Sequence, residues 1–411
     1  MIFRRPDRKR ILILGGGFAG LAAARELRAD RHDVTLIDRN RWFEFLPNIH
    51  ELLSRVKTPE LLRLPLESTL ERLGHRFMRD TVTGIDPIQR TVSTRRRKSI
   101  PYDSLIVTFG GVDADRGVAG VVEHALAFKT VEQCDRIGKR LARLAVRRKP
   151  ARVVIVGGGL EGVEALGEIL RRYRDSKLHV TLVEANARLL PEAPAYLDEQ
   201  VRKLSAPWSV DFVMNSPVRR IEPAAVILDD GSELPSDLTI WTGGPAPPAL
   251  LAECDLAPRG AWAPVDQTLA STMHSEIFVA GDAAALPTAL PKQAYNAIDM
   301  GACAARNADR LLAGRRLETF RPSGKPMLIS FGDLTCFLVT GQRALAGPPV
   351  AALKEAVFEI VMAQLDTRSL WMRVPSVVRR AERSTRELLW PVLSSHEALK
   401  RQGSFELLQS P

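Results

Sequence analysis

In the stretch LPKQAYNAIDMG (290–301), Tyr295 and Asp299 stand four residues apart. Pro291 suits a first helical position, where its missing N–H is not needed, and the run after it holds few helix breakers. Both side chains would then leave one helix face. A phenol can donate a hydrogen bond and an ionised carboxylate can only accept one, so the pair could hold and orient a polar group. Two further acids close glycine-rich runs. Asp38 ends the strand-like run after Gly15-Gly16-Gly17-Phe18-Ala19-Gly20, and Glu184 ends the one after Gly157, Gly159 and Gly162. A carboxylate in that place can take the hydroxyl of a ribose whose pyrophosphate rests on the glycine turn.

The elements that would position these groups are legible around them. In KRILILGGGFAGLAAARELRADRHDVTLIDRN, a buried strand runs into the glycines, an alanine-rich helix follows, and a second strand delivers Asp38. Gly15 permits the tight turn, Gly17 lets a pyrophosphate approach the backbone, and Gly20 lets helix and strand pack closely. The helix N-terminus then meets the phosphates with its partial positive charge. Strand, turn, helix and terminal acid together make a far more specific signal than the glycines alone. The same unit recurs in ARVVIVGGGLEGVEALGEILRRYRDSKLHVTLVEANARLLP, where Glu184 would accept a 2′-hydroxyl and repel a 2′-phosphate. That favours NADH over NADPH, with Arg188 near enough in sequence to moderate the preference. Two dinucleotide folds imply two dinucleotides and a short hydride path between them.

A chain of 411 residues with 45% hydrophobic residues can bury more than one core, so two or three domains are expected. No apolar run approaches the roughly 20 residues that span a bilayer, and the basic start MIFRRPDRKR leads into a strand with no cleavable signal pattern. The four cysteines, Cys134, Cys254, Cys303 and Cys336, show no CxxC or metal-ligand spacing. They are expected to be reduced thiols in a cytosolic compartment, with no metal site. The net charge of +10 asks for an anionic partner. Its arginine clusters (95–98, 147–149, 377–386) lack aromatic interleaving and any nucleic-acid motif, so a phospholipid surface or anionic cofactor is expected, and no nucleic acid.

The segment SEIFVAGDAAALP, with Gly281 and Asp282, resembles the second flavin fingerprint of the two-dinucleotide-binding-domain flavoproteins. The resemblance implies that Asp282 holds the ribityl chain of FAD, that the first glycine loop belongs to FAD, and that the inserted second loop belongs to NADH. YDSLIVTFGG (102–111) and DLTIWTGGPAP (237–247) resemble the strands by which such chains cross between domains, and Gly110, Gly243 and Ala294 join the expected cofactor-binding positions. The expected fold is α/β: two Rossmann-like domains, the second inserted in the first, plus a C-terminal cap. Residues 1–112 and 247–325 would form the FAD domain, 113–246 the NADH domain, and 326–411 a membrane- or partner-interaction region.

WFEFLPNIHELLS carries no CxxxxC pair, which excludes direct dithiol chemistry. FKTVEQCDRIGKRL, GGGLEGVEALGEI, IWTGGPAP and the 291–308 helix together resemble type II NADH:quinone oxidoreductases, single-chain flavoproteins of the membrane surface. That family's helix beside flavin and quinone reads A-Q-x-A-x-Q-x-G. Here Ala294, Ala297 and Gly301 are kept, while Tyr295 and Asp299 replace both glutamines. The resemblance implies that electrons pass from NADH through FAD to a quinone-type acceptor, and that Tyr295 and Asp299 line the acceptor site. Near a buried flavin, Asp299 could gain a raised pKa and deliver a proton; the alternative is a solvated or Arg-paired helix residue. Glu164 matches an acid that family members place near nicotinamide and quinone, the alternative being compensation of the helix dipole. His50 is expected to be a helix-surface or packing residue.

Two other readings stay open. Sulfide:quinone oxidoreductases use cysteines flanking the flavin, which Cys134 and Cys336 would have to become; we read them as buried small hydrophobes. A flavoprotein binding NADH as a sensor or scaffold is the third reading. Past Phe320, LISFGDLTCFLVTG suggests two short strands of a cap, and PPVAALKEAVFEIVMAQL an amphipathic helix. SLWMRVPSVVRRAERSTRELLWPVL then reads as a basic amphipathic helix bracketed by Trp371 and Trp390, suited to a membrane interface. The protein would sit peripherally on the cytoplasmic side of the cell membrane, or in the cytoplasm. A dimerisation or core-covering helix is the alternative, which leaves a homodimer open.

Overall fold

Apolar runs that end at glycines build the two parallel sheets of this chain. A computed structural model describes residues 8–365 and 406–408. The first sheet orders its strands Ile277–Val279, Ser104–Val107, Lys9–Leu14, His32–Asp38 and Arg76–Arg79, all parallel. The second orders Ala125–Ala127, Leu238–Trp241, Ala151–Val156, Leu178–Val183 and Val210–Val213, again all parallel. Ser104–Val107 and Leu238–Trp241 are buried at every residue, as strands covered on both faces must be. Every strand of the second sheet falls between Ser104–Val107 and Ile277–Val279 of the first, so the second unit is an insertion. The chain crosses once each way, and the crossings pair as an antiparallel ribbon, Val112–Asp113 with Pro245–Ala246.

Helices Phe18–Glu26 and Leu160–Tyr173 follow the two glycine turns. Helix Val131–Ala145 opens with a capping box in which Thr130 and Gln133 satisfy each other's backbone N–H groups. Its Val131 N–H also donates to Glu44 of the first unit at 3.0 Å, a carboxylate where the helix dipole favours one. Helix Ala294–Leu312 starts later than the sequence suggests. Pro291 stands before it in an irregular segment, because the Asn296 amide donates to the Pro291 carbonyl at 2.8 Å and Lys292 donates to the Asp282 carbonyl.

The cap is a four-stranded antiparallel sheet of Met327–Phe331, Thr335–Thr340, Arg343–Ala346 and Glu406–Leu408, larger than the two strands expected. Helix Pro348–Leu365 follows the third strand and buries Val350, Phe358, Val361 and Leu365 along one stripe, Phe358 stacking edge-on against Phe45 at 5.0 Å. No described helix is long and apolar enough to cross a membrane. The basic segment 369–393 lies outside the described residues. One apolar core runs through both sheets and the cap, joining Leu52, Leu141, Ile169 and Phe331. Two glycines bring the three parts to backbone contact. A Cβ at Gly138 would lie 2.3 Å from the Leu52 carbonyl oxygen, and one at Gly167 would lie 2.6 Å from the Gly332 nitrogen.

Candidate functional site

The first glycine loop is locked from behind and open in front. Gly15 has φ +108°, and a Cβ there would meet the Thr108 carbonyl oxygen at 2.4 Å. Thr108 holds the loop by donating its hydroxyl to the carbonyls of Leu14 and Gly15, each at 2.9 Å. A Cβ at Gly20 would collide with the Gly15 carbonyl at 1.9 Å, whereas one at Gly17 meets nothing within 4 Å. The free space therefore lies on the side where the N-terminus of Phe18–Glu26 points its unbonded N–H groups, an environment that favours an anion. Asp38 accepts from the Gly16 N–H at 2.6 Å and the Asn40 N–H at 2.7 Å. Burial lifts its carboxyl above the usual range, and those N–H groups pull it part of the way back.

The second loop repeats this construction part for part. Gly157 has φ +109°, and Thr242 donates to the carbonyls of Val156 and Gly157 at 2.9 and 3.1 Å. A Cβ at Gly162 would meet the Gly157 carbonyl oxygen at 1.9 Å, and one at Gly159 meets nothing within 4 Å. Glu184 accepts from the Gly158 N–H at 2.5 Å and from the Asn186 backbone N–H at 2.8 Å. Arg188 turns away from this acid: its guanidinium donates to the carbonyls of Leu190, Pro191 and Ala193 within its own loop. It staples its own loop.

Gly281 and Asp282 close the strand Ile277–Val279 and pack on the first loop's helix, a Cβ at Gly281 falling 3.1 Å from that of Ala19. Lys292 lies 3.6 Å from the centre of the Trp262 ring beside this turn, and burial lowers its ammonium pKa. Gly110 adopts φ +65° where the first crossing begins. Gly243 belongs to the return crossing, its carbonyl accepting from Arg116 at 2.8 Å. Ala294 is the first residue of its helix. Tyr295 and Asp299 share a face of that helix, both partly buried, and Asp299 forms an ion pair with Lys325 at 2.7 Å. This is the charge-paired alternative, with lysine in place of arginine.

Glu164 sits elsewhere, in a buried cluster where both units and the cap meet. Its Oε1 accepts from Lys354 Nζ at 2.7 Å and from the Ser330 N–H at 3.1 Å. Burial raises the Glu164 carboxyl, and the Lys354 ammonium opposes the rise. His50, expected on a surface or in plain packing, is buried with Nδ1 3.4 Å from Glu164 Oε2 and Nε2 3.3 Å from Lys354 Nζ. An ammonium can only donate, so Nε2 must accept and the ring proton sits on Nδ1, facing the carboxylate. Burial, then Lys354, Arg171 and Lys57, hold the His50 pKa well below its usual value. One turn along, Glu168 is fully buried, takes the Ser54 hydroxyl, and is pushed up to about 7 by burial. Sequence reasoning missed Lys354. Its signal was its place in the apolar stripe of Val350, Phe358, Val361 and Leu365, where a lysine has no reason to sit unless paired. It also missed Thr108 and Thr242, although both stand at the same point of the two crossing segments.

Cys134 and Cys336 are buried free thiols. Burial pushes Cys134 well above its usual value and Cys336 up to about 12. Cys134 feels the charges of Glu161, Glu44 and Asp113; Cys336 feels those of Lys354, Glu164 and Glu51. Neither is poised as a thiolate, and both fill space as small hydrophobes.

The profile of the pyridine nucleotide-disulphide oxidoreductase family matches residues 9–301. A type II NADH:quinone oxidoreductase of Staphylococcus epidermidis is 27% identical over 394 residues, covering 89% of this chain and 96% of the relative. NDH2 of Plasmodium falciparum, solved in complex with NADH, superposes with a TM-score of 0.77 at 16% identity, covering 87% of this chain and 94% of that one. The sulfide:quinone oxidoreductase of Aquifex aeolicus superposes with a TM-score of 0.78 at 21% identity over 98% of both chains.

Proposed function

The chain belongs to the pyridine nucleotide-disulphide oxidoreductase family, and from that premise we propose that it passes electrons from NADH through FAD to a quinone. The observation that carries the proposal is the duplicated cradle: two glycine–threonine locks with open faces, each closed by an acid, in one chain. FAD, when bound, supplies the two-electron relay between nicotinamide and quinone. The first loop and the N-terminus of Phe18–Glu26 bind its pyrophosphate, Asp38 its ribose and Asp282 its ribityl chain. Glu184 takes the 2′-hydroxyl of NADH and repels a 2′-phosphate.

A quinone takes up two electrons and two protons. NADH brings both electrons and one hydrogen nucleus, so one proton must come from water. Glu164, Lys354 and His50 would relay that proton: Lys354 Nζ–H and His50 Nδ1–H both face the Glu164 carboxylate, so a proton passed on from it can be restored. Tyr295 and Asp299 line the acceptor site, Tyr295 as a donor and Asp299 as an acceptor oriented by Lys325. The reaction would run at a membrane surface, to which the basic segment 369–393, with its bracketing Trp371 and Trp390, would dock. Cys134 and Cys336 take no part.

Stopped-flow spectrophotometry on the FAD-loaded protein separates the half-reactions. NADH should bleach the flavin at the same rate in wild type, Glu164→Gln and Lys354→Met. Reoxidation by a short-chain quinone should slow between about 10²- and 10⁴-fold in either variant. Wild-type reoxidation in both would remove the cluster from the mechanism. A protein that stays colourless after incubation with FAD would end the proposal.

A further inference from the structure

Helix Val131–Ala145 turns a basic face outward, away from the core residues that anchor it. Arg136, Lys139, Arg140 and Arg143 are exposed and fall three, four and seven residues from the first, so they form one stripe. With His124 and Asp237 they line a cleft of about 420 Å³, within the size range of small-ligand pockets. The cleft also touches Leu238 and Thr239, the first residues of the strand Leu238–Trp241. That strand runs parallel to Ala151–Val156, whose far end carries the glycine loop. The cleft therefore opens at the amino end of the sheet, and the dinucleotide cradle at the carboxyl end.

The charges in the cleft are poorly matched. Among the described residues Asp237 is its one carboxylate, and both oxygens are engaged, Oδ1 by Arg147 at 3.2 Å and Oδ2 by the Arg152 N–H at 3.0 Å. Lys139 pairs with Asp135 at 2.5 Å. Among the described residues Arg140 reaches only the Asp237 backbone carbonyl, at 3.4 Å, which neutralises nothing. Arg136 and Arg143 make no hydrogen bond or ion pair among the described residues. Arg147, Arg148 and Lys149, one of the clusters that the dinucleotide sites do not use, extend the basic surface directly. Guanidinium forks at this spacing match phosphate oxygens, which they can take two at a time.

We propose that this cleft binds a phosphate-bearing anion, held by Arg136, Arg140 and Arg143, at a site separate from both dinucleotide cradles. The anion is a soluble phosphorylated molecule or a phospholipid headgroup, and the two sources separate experimentally. The FAD-loaded full-length protein is saturated with NAD⁺, which fills the second glycine loop, and titrated calorimetrically with inorganic pyrophosphate at low salt. In parallel it is sedimented with vesicles of phosphatidylglycerol or of phosphatidylcholine. The variant R136A/R143A is compared with R95A/R96A, which removes the same charge from exposed arginines elsewhere. Pyrophosphate affinity should fall about a hundredfold in R136A/R143A, roughly tenfold for each arginine, and hold in the control. Loss of phosphatidylglycerol binding alone in R136A/R143A would assign the site to a headgroup. The proposal is overturned if wild type binds neither probe, or if R95A/R96A loses as much as R136A/R143A. NADH oxidation stays at the wild-type rate in both variants, so failure here is distinct from failure of the proposed reaction.

Discussion

Replacing Glu168 by Gln should make the protein more stable relative to wild type as pH rises. Glu168 is fully buried, and burial pushes its carboxyl up to about 7 from an ordinary 4.5, against the Ser54 hydroxyl and Arg171 that hold it down. An acid with a raised folded-state pKa binds its proton more tightly folded than unfolded. Its contribution is complete below 4.5 and is lost as pH rises through about 7. Over that span, at about 1.4 kcal/mol per pH unit, the loss is roughly 3 kcal/mol. Glutamine is neutral throughout and still accepts from Ser54, so Glu168→Gln removes the loss and keeps the shape. Urea denaturation at intervals between about pH 4 and pH 8 measures it. The two proteins should be nearly equal at the acid end, and the variant should lead by roughly 3 kcal/mol at the alkaline end. Parallel curves, or a wild type that gains on the variant with rising pH, would refute the assignment of a neutral buried acid to this junction.

Gly20→Ala should fail to hold FAD and melt early, because its Cβ would lie 1.9 Å from the Gly15 carbonyl, while Gly17→Ala should fold normally and bind FAD at least about tenfold more weakly. Circular dichroism melts and FAD titration tell the two apart, and equal behaviour would contradict the open-front geometry. Glu184→Ala should narrow the preference for NADH over NADPH by about tenfold or more in flavin-reduction rate, and Arg188→Ala should leave it within about twofold, since Arg188 bonds its own loop. A large change in the Arg188 variant would show that it reaches the nucleotide. The double variant C134A/C336A should retain NADH-to-quinone turnover within about twofold, as two buried thiols without thiolate character allow. Sulfide-driven flavin reduction in wild type that vanishes in this variant would restore the thiol mechanism.

The two cradles could be read from sequence because their chemistry is local. Gly15, Gly17, Gly20 and Asp38 lie on one strand–turn–helix–strand unit, and Gly157 to Glu184 repeat it, so spacing alone fixes the geometry. The insertion was legible for the same reason, from crossing strands that look alike. Lys354 and His50 were not legible, because their partner Glu164 is 190 residues from one in sequence and lies on another unit from the other. Only folding brings a cap helix, a loop of the first unit and a helix of the second to one point. For Asp299 the motif leaves a proton donor and a solvated or Arg-paired residue both open, and nothing local announces Lys325, 26 residues away. The first turn of its helix was misplaced because Asn296 and Lys292 draw the preceding carbonyls away, a tertiary arrangement that the helix-friendly composition does not encode.

Gly138 has a bearing on rate as well as on packing. A methyl at Gly138 would lie 2.3 Å from the Leu52 oxygen where ordinary contact begins at 3.4 Å, so the two units would have to separate by about 1 Å. Hydride transfer needs its atoms within about 3–3.5 Å, and a displacement of about 1 Å arising far from the chemistry can cost about 10² in rate. The spacing of the two units is thus gauged by a hydrogen atom at Gly138. A larger side chain elsewhere can be taken up by flexible neighbours, whereas a methyl at Gly138 meets backbone and must move one unit against the other.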